Sequence, residues 1–301
     1  MSSIEIHIVD GNNWANRAFY ACPAMTNSKG EHVNAIRGFH EMVRSLERRM
    51  QRGDKVVFVF DGKSVNTWRW KAIDAWLREN SSYTGVGTEG YKGKRERKPE
   101  LSPQIPLIVE ALRLAGHCVF VGKTYEADDI IGTLAVRLSK YGKVFIHSTD
   151  KDFAQLVTRK ITLLRPKQDP CTPDRIRDVF GVKPSQIRDY LTMTGDSVDN
   201  VPGLPGVAAT TAIKLLSEYQ NLDNVIKAVR EGKIKGKSKW ILALKGEYPL
   251  MDLDLQRDLI QIDTNVPRMP KSLEDIERKQ SNDKALKKLK RRLEMSELLH
   301  V

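Results

Sequence analysis

Nine carboxylates set the chemistry that this chain could perform. Asp10, Asp61, Asp150 and Asp152 close short β-rich runs ("IEIHIVD", "KVVFVFD", "KVFIHSTDKD"). Glu126, Asp128 and Asp129 crowd into "YEADDIIGTLA", and Asp196 and Asp199 lie in "MTGDSVDN". Singly, each has a bland account: Asp10 and Asp61 precede a turn glycine, and acids in a first helical turn complement the helix dipole. Together they would gather many like charges at one rim with no matching arginine in the same motifs. Only a cation or full solvation makes that tolerable. An all-oxygen set suits hard cations, Mg²⁺ with Mn²⁺ as a substitute, and does not suit zinc. Such a set can hold two ions about 4 Å apart, one activating water and the other stabilising the leaving oxygen of a phosphodiester.

The elements that must position these acids are legible around them. A fourth β-rich run, "HCVFVGK" from His117, joins the three above, and "AIRGFHEMVRSLERRM" and "SPQIPLIVEALRLAG" read as helices between strands. Strands alternating with helices predict an α/β domain with a mainly parallel central sheet. In open α/β sheets ligands bind outside the carboxyl ends of the strands, so the acids converge on one edge although they are distant in sequence. "ITLLRP" is a plausible last strand. From about Lys183 the pattern is helical, with "VPGLPGVAATTAIKLLSEY" reading as a Gly/Pro-punctuated hairpin that leads into a helix. Between Asp61 and Leu101 a polar, Gly-rich and then basic stretch, "ENSSYTGVGTEGYKGKRERKPE", predicts a protruding functional element. The tail "NDKALKKLKRRLEMSELL" predicts an amphipathic basic helix in which Leu286, Leu289 and Leu293 line one face. A solvated basic face over a core-packed stripe is favoured there over a dedicated binding surface.

Composition narrows the partner. The 301 residues carry 50 Lys and Arg against 38 Asp and Glu, a formal charge of +12. A basic excess around an acidic rim points to a polyanionic partner, nucleic acid, whose phosphates release counterions when neutralised. Three cysteines far apart support neither a disulfide framework nor a thiolate zinc site, and a reducing cytoplasm fits them. The amino terminus lacks an export-signal pattern, and no run of about 18 apolar residues occurs, so neither export nor a membrane partner is expected.

The series "VDGNNWANRAFYA", "VFVFDGKS", "YKGKR", "YEADDIIGTLA", "STDKDFAQLV" and "MTGDSVDNVPGLPG", in that order, resembles the 5′-nuclease (flap endonuclease) family. The branch it is most similar to contains the bacterial and bacteriophage 5′-3′ exonucleases and the 5′-nuclease domain of bacterial DNA polymerase I. The resemblance implies an α/β nuclease domain over residues 1–182 with a helical arch at about 62–105. A helical DNA-binding region would follow over 183–301, with a helix–three-turn–helix element and the basic C-terminal helix. It implies two-metal hydrolysis of DNA with 5′ ends, flaps or nicks, in replication or repair, by a monomer, with RNA–DNA hybrid as a further substrate. By the same resemblance Asp10, Asp61 and Asp128 hold the first metal with Glu126 in support, and Asp150, Asp152 and Asp199 serve the second. Asp129 and Asp196 act through bound water. Tyr91 stacks on a base at the cleavage point, and Lys92 and Arg95 clamp the scissile phosphate, where fixed cations offset developing charge. Gly203, Gly206 and Thr211 mark the hairpin on duplex DNA, with K⁺ as its expected monovalent ion. Two features depart from the family pattern: a longer segment between Asp61 and Tyr91, and Ala208 and Thr210 where relatives carry a glycine and a lysine.

Two rivals stand beside this reading. A related metal-dependent ribonuclease would not need the long second region, and a catalytically silent DNA-binding protein would lack required acids.

Overall fold

The structure is a computed structural model that describes residues 4–62, 67–83, 90–92 and 98–295. Five parallel strands form its centre: β1 (Glu5–Asp10), β2 (Lys55–Phe60), β3 (Cys118–Val121), β4 (Lys143–His147) and β5 (Ile161–Leu164), in the order β3-β2-β1-β4-β5. β1 is central, with Ile6 beside Lys55 on one flank and beside Val144 on the other. Because both faces are covered, the strands read as apolar runs, and period-two alternation divides their side chains between two cores. Ile6, Ile8, Val57 and Val59 join one core, whereas Val9, Phe58 and Phe60 join the other.

Helices α1 (Gly11–Ala21), α2 (Asn34–Glu47), α3 (Trp68–Glu79), α4 (Gln104–Leu114) and α5 (Ala127–Leu138) follow or separate the strands. α1 starts immediately after β1, and a Cβ at Gly11 would lie 2.5 Å from the Phe60 ring, so only glycine permits that turn. α6 (Pro173–Phe180) closes the α/β part, and the helical region comprises α7 (Ile187–Thr194), α8 (Ala209–Tyr219), α9 (Leu222–Arg230), α10 (Lys239–Leu244) and α11 (Leu253–Ile260). Ile187, Leu191, Leu204, Leu216 and Leu259 extend the α5-side core without a break, so this region is packed directly onto the α/β layer.

Two parts of the chain differ from expectation. The segment after Asp61 does not simply protrude: α3 lies against the core, with Ile73 and Arg69 buried and Trp76 and Leu77 packed beside them. The last helix, α12 (Asp283–Leu293), does not stay with the helical region. Lys279 N donates to Gly116 O and Asn282 N to Leu114 O, and Leu286, Leu289 and Leu293 are buried in the core shared by α1, α2 and α4. Its lysines and arginines form the solvated outer face. Among the described residues no helix is long and apolar enough to cross a membrane. Arg95 lies outside the described residues.

Candidate metal and phosphate site

The first acids are positioned by strand ends and helix starts. Asp10 ends β1 and caps α1, accepting the Asn13 N–H at 2.9 Å on Oδ1, while Ser148 Oγ donates to its Oδ2 at 2.7 Å. Asp61 follows β2; its N–H donates to Asn12 Oδ1 at 2.8 Å, and its Oδ1 accepts the Ala127 N–H at 2.8 Å. Thus a carboxylate from the neighbouring strand supplies the cap that α5 lacks from its own Glu126.

Consecutive residues in that first turn of α5 point about 100° apart, and this separates Asp128 from Asp129. Asp128 faces Asp61, Asp150 and Glu126, and burial together with these like charges holds its carboxyl well above the usual range. It makes no hydrogen bond to any described residue. Asp129 turns the other way and is fully buried against Arg69, whose Nη1 and Nη2 lie 2.7 and 2.6 Å from its two oxygens. Trp68 Nε1 and the Asp263 N–H also donate to it, at 3.3 and 2.9 Å. The arginine that the motifs lack therefore comes from α3, and Asp129 is drawn out of the acidic rim by a full set of donors.

Glu126 is the meeting point of cations and hydroxyl. Lys92 Nζ lies 2.9 Å from its Oε1, and Arg69 Nη1 and Tyr91 Oη lie 3.2 and 3.0 Å from its Oε2. Tyr91 Oη is also 3.0 Å from Asp199 Oδ2, and the residue is only 4% exposed, so its ring offers no free face for stacking on a base. Its phenol is held protonated by burial and by Asp199 and Glu126. Burial opposes the charge on Lys92, but Asp199, Glu126, Asp128 and Asp61 outweigh it and raise the ammonium pKa. Lys92 is thus a fixed cation among the acids.

The remaining acids form a second group. Asp152, Asp196 and Asp199 are buried and can each bring an oxygen within 4.8 Å of the others. Asp152 begins the short 3-10 turn Asp152–Leu156, its N–H donating to Asp150 Oδ1 at 2.9 Å. Burial and then Asp150, with Asp196 and Asp199 adding to it, push the Asp152 carboxyl up to about 8. Asp10 is pushed up to about 7 by burial, with Asp61 and Asp150 adding to it. Asp150 therefore acts on both groups. Lys151, which carried no sequence signal of a role, pairs with Asp196 and, at 3.4 Å, with Asp152.

The hairpin acids sit on a tight backbone crossing. Asp196 and Val201 pair through both N–H···O bonds at 2.8 Å, and a Cβ at Gly203 would lie 2.4 Å from Gly195 N. Gly203 also has φ +74° and donates its N–H to buried Gln256 Oε1 at 2.8 Å, so it holds the hairpin together from inside. Gly206, at φ +79° with open space around it, lies on the exposed side near the start of α8, where Thr211 is part-exposed. Ala208 has φ −88°, a backbone that needs no glycine.

Comparison with known proteins agrees with this geometry. The family described as 5′-3′ exonuclease, N-terminal resolvase-like domain, matches residues 5–181, and its companion, 5′-3′ exonuclease, C-terminal SAM fold, matches 182–284. The chain is 36% identical over 300 residues to a 5′-3′ exonuclease of Aquifex aeolicus, covering 98% of this chain and 93% of that one. It is 34% identical over 295 residues to the thermostable DNA polymerase I of Thermus aquaticus, covering 97% of this chain but only 32% of the polymerase. Among solved structures, the T5 D15 protein co-crystallised with metal ions superposes with a TM-score of 0.64 at 22% identity, over 86% of this chain and 89% of that one. The catalytic core of Rad2 in complex with DNA substrate gives 0.60 at 16% identity, over 97% and 88%. These two speak for the fold. Acids gathered from strand ends, a helix start and the hairpin, a fixed lysine among them and a family match spanning both regions lead to one conclusion: the chain belongs to the 5′-3′ exonuclease family.

Proposed function

We propose that this protein is a Mg²⁺-dependent 5′ nuclease, with Mn²⁺ able to substitute, that trims 5′ ends and removes 5′ flaps at nicks during replication or repair. The observation that carries the reading is the acidic rim with Lys92 held inside it. The donors are oxygens only, several carboxyls are displaced upward by burial and by one another, and Asp128 makes no hydrogen bond to any described residue, all of which fits hard divalent cations. Asp10, Asp61 and Asp128, with Glu126, would hold one ion; Asp150, Asp152 and Asp199, with Asp196, the other. Bound there, the ions would supply a lowered pKa for attacking water and charge stabilisation for the leaving oxygen.

The chain's own residues do the rest. Lys92 is placed to exchange Glu126 for the scissile phosphate and so offset charge that develops there; Arg95 is proposed as its partner. Tyr91 fixes Glu126 relative to Asp199 through its hydroxyl instead of stacking on a base. Asp129, spent on Arg69, has no part in holding an ion. The Gly206 turn and Thr211 at the start of α8 would meet duplex phosphates, with K⁺ at the same turn, and Gly203 would support that turn from within. The enzyme would act as a monomer in the cytoplasm, and would also remove RNA from hybrid ends.

The test is a panel of 5′-labelled flap, nicked, blunt and single-stranded DNA and an RNA–DNA hybrid, with Mg²⁺ and product lengths mapped. Flap or nick cleavage that Asp152→Asn abolishes while DNA binding persists is expected. Equal cutting by the variant would refute the assignment.

A further inference from the structure

Arg69 is buried away from any surface that substrate could reach, and every donor of its guanidinium is spent. Nε donates to Leu259 O at 3.0 Å, Nη1 to Asp129 and Glu126, and Nη2 to Asp129 and Gln261 O. The Trp68 ring lies beneath it, 4.5 Å from the guanidinium carbon. Three segments distant in sequence, α3, the first turn of α5 and the C-terminal end of α11, therefore meet on one buried side chain that is 2% exposed.

We propose that Arg69 is a positioning residue: by clamping Asp129 and Glu126 from behind, it sets the rotation of the first turn of α5 and hence where Asp128 stands in the acidic rim. The inference rests on the nuclease reading of that rim. Asp128 and Asp129 are adjacent on one helical turn, so any rotation that frees Asp129 carries Asp128 with it. The Leu259 and Gln261 carbonyls fix the arginine from the far side, so the clamp cannot follow α5 if the helix turns. Stability alone is a poor reason for such a knot, because well-packed apolar residues commonly replace a buried ion pair at no cost, whereas removing one partner strands the other. The same contacts explain why Glu126 would keep a counter-ion when Lys92 leaves it for phosphate.

The test separates placement from packing. The paired replacement Arg69→Met with Asp129→Leu removes the charges together and leaves an apolar plug; Arg69→Lys keeps the charge and loses the fork. Mn²⁺ binding is measured by calorimetry on the DNA-free protein, alongside thermal melting and flap cleavage. Supporting partners of metal ligands typically matter by about 10- to 100-fold in metal affinity or turnover. The paired variant should fold, bind Mn²⁺ at least ~10-fold more weakly and lose kcat by a similar factor with the KM for DNA little changed. If the pair does not fold, Arg69→Lys decides by the same Mn²⁺ titration, with at least ~10-fold weaker binding expected. Wild-type Mn²⁺ affinity in the folded variant would overturn the proposal. Because that readout needs no cleavage, it stands apart from failure of the nuclease assignment, which would appear as an inactive wild type.

Discussion

Removing an acid from the rim should stabilise the protein while destroying its activity, and Asp152→Asn is the sharpest case. The folded carboxyl is pushed up to about 8, by burial first and then by Asp150, Asp196 and Asp199. An unfolded aspartate sits near ~3.9. The sign follows from linkage: below about pH 4 both states are protonated and nothing is lost. As the pH rises toward 8, the unfolded state ionises before the folded one, so stability falls, and beyond 8 the cost is constant. At pH 7 the difference amounts to about 3 pKa units, or roughly 4 kcal/mol. Asparagine keeps the shape and drops the repulsion but forfeits the Lys151 contact at 3.4 Å, so a net gain of about 2 to 4 kcal/mol is expected. For a chain of this length that is a melting shift of roughly 3 to 6 °C. The assay is thermal unfolding in EDTA from pH 5 to 9, repeated with Mg²⁺. The wild type should lose stability as pH rises in EDTA and recover it with Mg²⁺; the variant should start higher, vary less and gain less from the ions, since one of the two sites remains. A variant that melts at or below the wild type in EDTA at pH 7 would refute the reasoning.

Other residues carry independent expectations. Tyr91→Phe keeps a ring but removes the hydroxyl between Glu126 and Asp199, which should lower stability by about 1 to 3 kcal/mol and slow cleavage; unchanged flap cleavage would favour base stacking instead. Leu289→Ala, in the basic C-terminal helix but 4% exposed, should cost roughly 2 to 4 kcal/mol in urea unfolding, whereas a merely solvated helix would show almost no change. His147 meets His7 at 2.9 Å, and burial, with His7, Arg49 and Arg17 adding to it, pushes its pKa down from 6.5 to about 3. The unfolded state then takes a proton that the folded state refuses, so stability should drop as pH falls from 6.5 toward 3, by on the order of 5 kcal/mol in all. His147→Gln should flatten that acid limb; an identical slope in both proteins would contradict it.

The strands and their terminal acids were legible because a buried parallel sheet demands apolar runs, and because the carboxyl ends of such strands share an edge. The convergence of Asp10, Asp61, Asp128 and Asp150 followed from that topology alone. Arg69 was not legible, since its partners Glu126 and Asp129 lie 57 and 60 residues away and no local pattern ties an arginine to a distant helix start. The signal available was its place on the buried stripe of "TWRWKAIDAW" with Ile73 and Trp76, where a charge must find a partner. Tyr91 is a related case: the resemblance implies stacking on a base, whereas its buried hydroxyl meets two carboxylates once α5 and the hairpin are packed together. The return of α12 to α4 was half visible, because leucines at positions 286, 289 and 293 predict a core face without saying which core.

Two divalent ions in the rim, around a phosphate held by Lys92, are what the proposed reaction requires. Crystals soaked in Mn²⁺ and measured for anomalous scattering test it most directly. Two peaks about 4 Å apart are expected, one among Asp10, Asp61 and Asp128 and the other among Asp150, Asp152 and Asp199, with none beside Asp129. A rim without paired peaks at saturating Mn²⁺, or an ion bound at Asp129 with Arg69 displaced, would rule out a two-ion centre at these acids.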